Sequence, residues 1–241
     1  THDQSSAASD VYKRQVGNWA DDNAIIYKAP AMDLMGATVS IGVEHSLQAG
    51  TATGADGVAP ARSDTYGTGT GVGVTIAYEG LTIGAYGAER ENKNPTKAVQ
   101  VMDEFNGSWF ANYNFGPVSI GYQETYFDSG LAANGNDVTT TSAKSVGLSG
   151  GIFTGEAMSI AFNVNDNLSV SYSEVEDTHD GQNAVSGADG GNSTMKTESL
   201  QVAYSMGSMS INAYSTETSN PNYDTDADNL NVNEIAIGLA F

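Results

Sequence analysis

Three histidines, 29 carboxylates and no cysteine are the reactive inventory of this 241-residue chain. His2, His45 and His179 fall in a polar leading segment, at a strand end and in a loop, and none has a partner at metal-ligand spacing. No nucleophile elbow and no Walker sequence occurs. Gly67 to Gly73 (GTGTGVG) has the letters of a phosphate cradle, but it leads into a strand pattern, so no helix N-terminus would face an anion there. Glu174, Glu176, Asp177 and Asp180 are spaced to gather a hard cation such as calcium; a solvated acidic loop explains the same residues. The absence of cysteine removes thiol chemistry, disulfides and cysteine-based metal sites. The expectation is a protein that is not an enzyme and needs no cofactor, calcium in the acidic loops being the one candidate.

The elements that would have to position such residues are strands. In the last stretch, Leu230 to Phe241, the apolar residues Ile235, Ile237, Leu239 and Phe241 alternate with Glu234, Ala236, Gly238 and Ala240, the period of two of a strand with two unlike faces. The same alternation runs through the chain. Asn23 to Ala29 reads as a strand closed by Pro30, which has no N–H to give a ladder. AMDLMG then reads as a tight connection into Ala37 to His45. Val72 to Tyr78 turns through Glu79-Gly80 into Leu81 to Ala85, and Trp109 to Phe115 turns through Gly116-Pro117 into Val118 to Tyr122. A long, interrupted strand covers Val146 to Val164, weakest at GGIFTGEA; two short strands are the alternative. Asn165 to Asn167 turn it into Leu168 to Tyr172, and Leu200 to Met206 turns through Gly207-Ser208 into Met209 to Ala213. Between these hairpins lie polar loops near residues 46–68, 90–104, 128–141, 177–192 and 219–229.

Short turns thus fall at one end and long loops at the other. Soluble β-sandwiches mix their loop lengths, whereas outer-membrane barrels keep short turns in the periplasm and long loops outside. Tyr27, Tyr78, Phe115, Phe162, Tyr204 and Phe241 fall beside the short turns, as a girdle of interfacial aromatics would, although ordinary strand propensity also favours them. No apolar run reaches the length of a membrane-crossing helix. The mean hydropathy of −0.28 fits a barrel wall, because only alternate residues of such a wall meet lipid. With the apolar residues outward, parity turns Lys28, Ser40, Glu44, Thr75, Arg90, Asn112, Gln123, Ser171, Gln201 and Asn212 to the opposite face. A net charge of −20 repels nucleic acid and attracts cations.

These residues resemble a Gram-negative general porin of the α-proteobacterial type. The likeness rests on NAIIYKAP with the short turn after it, on the hairpins AYEGLTIGAY, NYNFGPVSIGY, FNVNDNLSVSY and AYSMGSMSINAY, and on the terminal NEIAIGLAF. It covers Val16 to Phe241. The resemblance implies an all-β fold, an antiparallel, up-and-down transmembrane β-barrel with about eleven strands present of an expected sixteen, the N-terminal part missing. Residues 1–15 are then a disordered or foreign leading segment, and residues 16–241 a partial porin barrel. Asp21 and Asp22 would belong to the tail of a loop that constricts the pore. The pore-lining residues would be Asp21, Asp22, Lys28, Glu44, Arg90 and Gln123, with Ile235, Ile237, Leu239 and Phe241 as the C-terminal assembly signal.

The implied function is passive diffusion of small hydrophilic solutes across the bacterial outer membrane, with cations preferred. The implied partners are outer-membrane lipid and two further copies in a homotrimer. Two other readings stay open: a non-conducting outer-membrane barrel with acidic binding loops, and a soluble acidic β-sandwich that serves as a binding module. A barrel hydrolase has the least support, since no Ser/His/Asp set falls on neighbouring strands.

Overall fold

The computed structural model describes residues 24–47, 66–92, 102–130, 151–181 and 191–239. Asp21, Asp22, Val146, Leu148 and Phe241 lie outside the described residues. Within them the chain is all β, in twelve strands: β1 Ala24–Lys28, β2 Met32–Leu34, β3 Ala37–Ser46, β4 Tyr66–Tyr78, β5 Leu81–Asn92, β6 Glu104–Phe115, β7 Val118–Asp128, β8 Ile152–Asn165, β9 Leu168–Asp180, β10 Asn192–Met206, β11 Met209–Ser219 and β12 Leu230–Leu239. They form one antiparallel, up-and-down sheet in which each strand from β3 onward pairs with the next in sequence.

The first hairpin departs from the sequence reading. AMDLMG is not a simple connection, because β2 continues the ladder that β1 begins on β3. Lys28 lies opposite Gly42, yet Met32 lies opposite Val39, so one extra residue is accommodated around Pro30. β1 thus ends just before Pro30, as a residue without an N–H requires, and the chain rejoins the same partner as β2. The turn itself is Met35-Gly36, both with positive φ (55° and 87°). The split also moves Tyr27 away from the turn. It lies level with Val43, which lies level with Val72, so it does not belong beside the short turns.

The other short turns fall where the residues put them. Tyr78 lies opposite Leu81, Phe115 opposite Val118 and Met206 opposite Met209, each leaving a two-residue turn. At Glu79-Gly80 both φ angles are positive (43° and 86°), the hairpin geometry that matches the right-handed twist of the strands. A Cβ on Gly80 would also come within 2.6 Å of the Asn114 carbonyl oxygen, so this position needs glycine twice over. Adjacent hairpins are stitched at this end: the amides of Asn114, Asn163 and Ser205 donate to the carbonyls of Gly80, Pro117 and Asn167, at 2.9, 2.8 and 2.8 Å.

Two strands are less interrupted than the alternation indicated. β8 is continuous through IFTGEA, where the sequence looked weakest. Gly155 is admitted because it gives room to the larger Thr125 and Asp177 beside it; a Cβ there would fall within 2.7 Å of Asp177 Oδ1. β9 extends to Asp180, so His179, expected in a loop, is a strand residue.

The register divides the sheet into two unlike faces. One carries Ile41, Val43, Val72, Val74, Ile76, Ile83, Ile120, Met158, Ile160, Phe162, Leu200 and Val202, and it is exposed. Ile237 is 65% exposed, Ile160 47% and Phe115 68%. The other face carries Glu44, Ser46, Glu104, Asn106, Gln123, Ser159, Ser171, His179 and Ser193, and these polar residues are buried. The only buried apolar side chains among the described residues are Ala88, Phe110 and Ala157, also on the polar face. No second layer of structure covers the apolar face within the described residues. Among the described residues β1 and β12 each have a strand partner on one side only, so this sheet is open and not closed into a barrel.

Candidate functional site

The polar face is the place where the chain concentrates its chemistry, and glycines decide how it packs. Gly71 and Gly73 on β4 face inward between β3 and β5. A Cβ on Gly71 would come within 2.7 Å of Glu44 Oε1, and one on Gly73 within 2.5 Å of the Tyr86 ring. Gly84 does the same for Phe110, whose ring occupies the space an added Cβ would need. The GTGTGVG run is thus strand, and its inward glycines are floor space on which Glu44 and Tyr86 lie flat.

Beside this floor, Arg90 on β5 donates to Glu104 on β6 at 2.7 Å, and the Glu104 side chain is almost wholly buried. Farther round the sheet the wall is built of hydroxyls and amides. Thr197 and Thr218 lie 3.1 Å apart, Ser199 and Thr216 3.0 Å, and the Tyr214 hydroxyl donates to Glu234 at 2.6 Å. Such cross-strand pairs stabilise by about 0.2–1 kcal/mol each.

Of the residues expected to line a passage, Lys28, Glu44, Arg90 and Gln123 all lie on the polar face, as do Ser40, Thr75, Asn112, Ser171, Gln201 and Asn212. Ser40, Thr75 and Gln123 share one row across β3 to β7, through Gly84 and Phe110. Lys28, Glu44 and Arg90 belong to other rows. The polar residues therefore line a wall and do not converge on one reacting point. Ile235, Ile237 and Leu239 lie on the apolar face, opposite Ala213, Ile211 and Met209.

The sequence reading missed an aromatic group on the polar face near the loop end. Phe127, Phe153 and His179 stand in one row on β7, β8 and β9. The His179 ring stacks on Phe153 with centroids 4.3 Å apart, and Tyr223 closes on both from the β11–β12 connection. Period-two parity gives Phe127, Phe153 and His179 one face; Tyr223, in an irregular segment, carried no such signal.

The apolar face changes character toward the loop end. There the Tyr122 hydroxyl sits 2.7 Å from Glu124 and 2.8 Å from Glu156, and the Trp109 indole N–H donates to Glu124 at 2.9 Å. Tyr172 bridges Glu174 and Glu198 in the same way, at 3.0 and 2.7 Å. Lys196 lies 3.0 Å from Glu174, 3.6 Å from Glu176 and 3.8 Å from Glu198. Of the four carboxylates weighed as a cation site, Glu174, Glu176 and Asp180 share this face with Lys196, while Asp177 lies on the other. Among the described residues no group of three or more histidines and carboxylates is placed to hold a metal ion. No protein-family model and no curated protein matches the chain.

The floor glycines give a direct test of the packing. Gly84→Val puts branched carbons into the Phe110 ring, and the expected loss is about 1–3 kcal/mol, the usual scale for overpacking. Chemical denaturation checks it, and adding Phe110→Ala should recover part of the loss.

Proposed function

We propose that the chain is wall of an outer-membrane diffusion channel, its apolar face toward lipid and its polar face toward a water-filled passage. One observation carries this reading: the faces are inverted relative to a water-soluble fold, with branched aliphatics exposed on one face and Glu44, Glu104, Asn106, Gln123 and several serines buried on the other. A bilayer rewards that arrangement, and it forbids an unpaired sheet edge, because amides without partners in hydrocarbon cost several kcal/mol each. In this reading the free edges of β1 and β12 are therefore joined in the membrane by strands that complete a barrel. Two-residue turns at one end and long connections at the other support the same orientation as in known outer-membrane barrels.

The chemistry of the passage follows from its wall. Polar rows without a focused constellation favour permeation over catalysis, and a net charge of −20 favours small cations and neutral solutes over anions. The channel has no turnover and needs no cofactor. It sits in the outer membrane as a homotrimer and meets lipid and hydrophilic solutes as its partners.

Planar-bilayer recording of the full-length protein tests this. The expected result is stepwise conductance with a cation-selective reversal potential that weakens as salt is raised, because the wall charges are then screened. Anion selectivity would refute the charge argument. Stable membrane insertion without conductance would favour a non-conducting barrel with acidic binding loops.

A further inference from the structure

The segment between β11 and β12 does not project away from the sheet. Asn220 donates its side-chain amide to the Thr194 carbonyl at 2.8 Å, and the Ser193 hydroxyl donates to the Tyr223 carbonyl at 2.6 Å. The Tyr223 ring lies 5.7 Å from the His179 ring and 6.0 Å from that of Phe153. The chain leaving β11 thus folds back over β10, and from there the Tyr223 ring reaches on to His179 of β9 and Phe153 of β8. His179 and Ser193 are buried beneath it, at 0% and 3% exposure.

The backbone there adopts conformations that side chains disfavour. Asn220, Asn222 and Tyr223 have φ of 48°, 57° and 60°. Asparagine tolerates the left-handed region, whereas a tyrosine held there must be kept by its surroundings, and such outliers point to function. The segment also braces itself. The Asp226 amide donates to Asp224 Oδ1 at 2.9 Å, and the Asp224 and Ala227 amides donate to the carbonyls of Pro221 and Asp224, both at 3.2 Å.

We propose that residues 220–229 are an inward-folded strap, pinned by Tyr223 on the His179–Phe153 stack, that narrows the passage at its loop end. This rests on the channel reading, and it names a second determinant of what passes. The strap carries Asp224, Asp226 and Asp228, so it narrows the opening with negatively charged material and sharpens the preference for cations.

Tyr223→Gly is the variant of choice, because glycine takes a φ of 60° without strain while the pinning ring is lost. The chain contains no cysteine, so Ser193→Cys supplies a single reporter beneath the strap. Folded full-length protein carrying Ser193→Cys is expected to react slowly with a bulky maleimide, and the same protein with Tyr223→Gly added about tenfold faster or more, as for a site opened to solvent. In planar bilayers Tyr223→Gly is expected to raise single-channel conductance by roughly half or more and to lower cation preference. Equal maleimide rates in the two proteins would overturn the strap. So would unchanged conductance from a Tyr223→Gly protein whose parent conducts. A parent that inserts without conducting would instead sink the channel reading itself, and with it any narrowing by the strap.

Discussion

Val202→Arg is expected to cost about 2–4 kcal/mol of assembly into a bilayer, while Gln201→Arg, one residue away, costs less than about 1 kcal/mol. The two positions share a strand and a height but not a face. Val202 lies between Val170 and Ala213 on the apolar side, and Gln201 between Ser171 and Tyr214 on the polar side. If the apolar face meets lipid as proposed, arginine at 202 brings a guanidinium into hydrocarbon. At 201 it replaces a polar side chain of similar length with one whose charge meets water. Folding titrations into lipid vesicles measure both. In a soluble protein the order would reverse, because the exposed valine would tolerate arginine and the half-buried glutamine would not.

The second large effect is expected at the Arg90–Glu104 pair. Arg90→Met leaves a buried carboxylate without its guanidinium, and removing one partner of a buried pair costs about 3–5 kcal/mol. The expected outcome is a fall in the denaturation midpoint on that scale. Adding Glu104→Gln should recover most of it, because the orphaned charge goes with the second substitution. If the single and double variants were equally unstable, the pair would matter for packing alone.

Much of the sheet was legible because alternation is a local signal. The parity of Ile235, Ile237 and Leu239, and that of Lys28, Glu44, Arg90 and Gln123, needs only a period of two and one decision about which face is apolar. Three of the short turns were legible from two-residue breaks between alternating runs; the fourth, read over Asn165 to Asn167, takes only residues 166 and 167. Pro30 marked the end of β1 correctly, but nothing local showed that AMDLMG rejoins the same partner strand as β2. His179 was placed in a loop because acidic residues surround it, yet strand β9 runs on through them, with Glu176 and Asp180 on one face and Asp177 on the other. The strap was illegible for another reason. PNYDTDADN reads as any polar loop, and its inward fold depends on Phe153, His179 and Ser193, residues far away in sequence that only the register brings beneath it.

The central claim is that one face of this sheet meets lipid and the other meets water. Single cysteines placed in turn from Met158 to Asn163 along β8 of the full-length, membrane-inserted protein, each carrying a spin label, read that claim residue by residue. Labels at 158, 160 and 162 should respond to oxygen dissolved in the bilayer, and those at 159, 161 and 163 to a water-soluble nickel chelate. Apolar-face labels that meet neither lipid nor water, because protein covers them, would contradict the account.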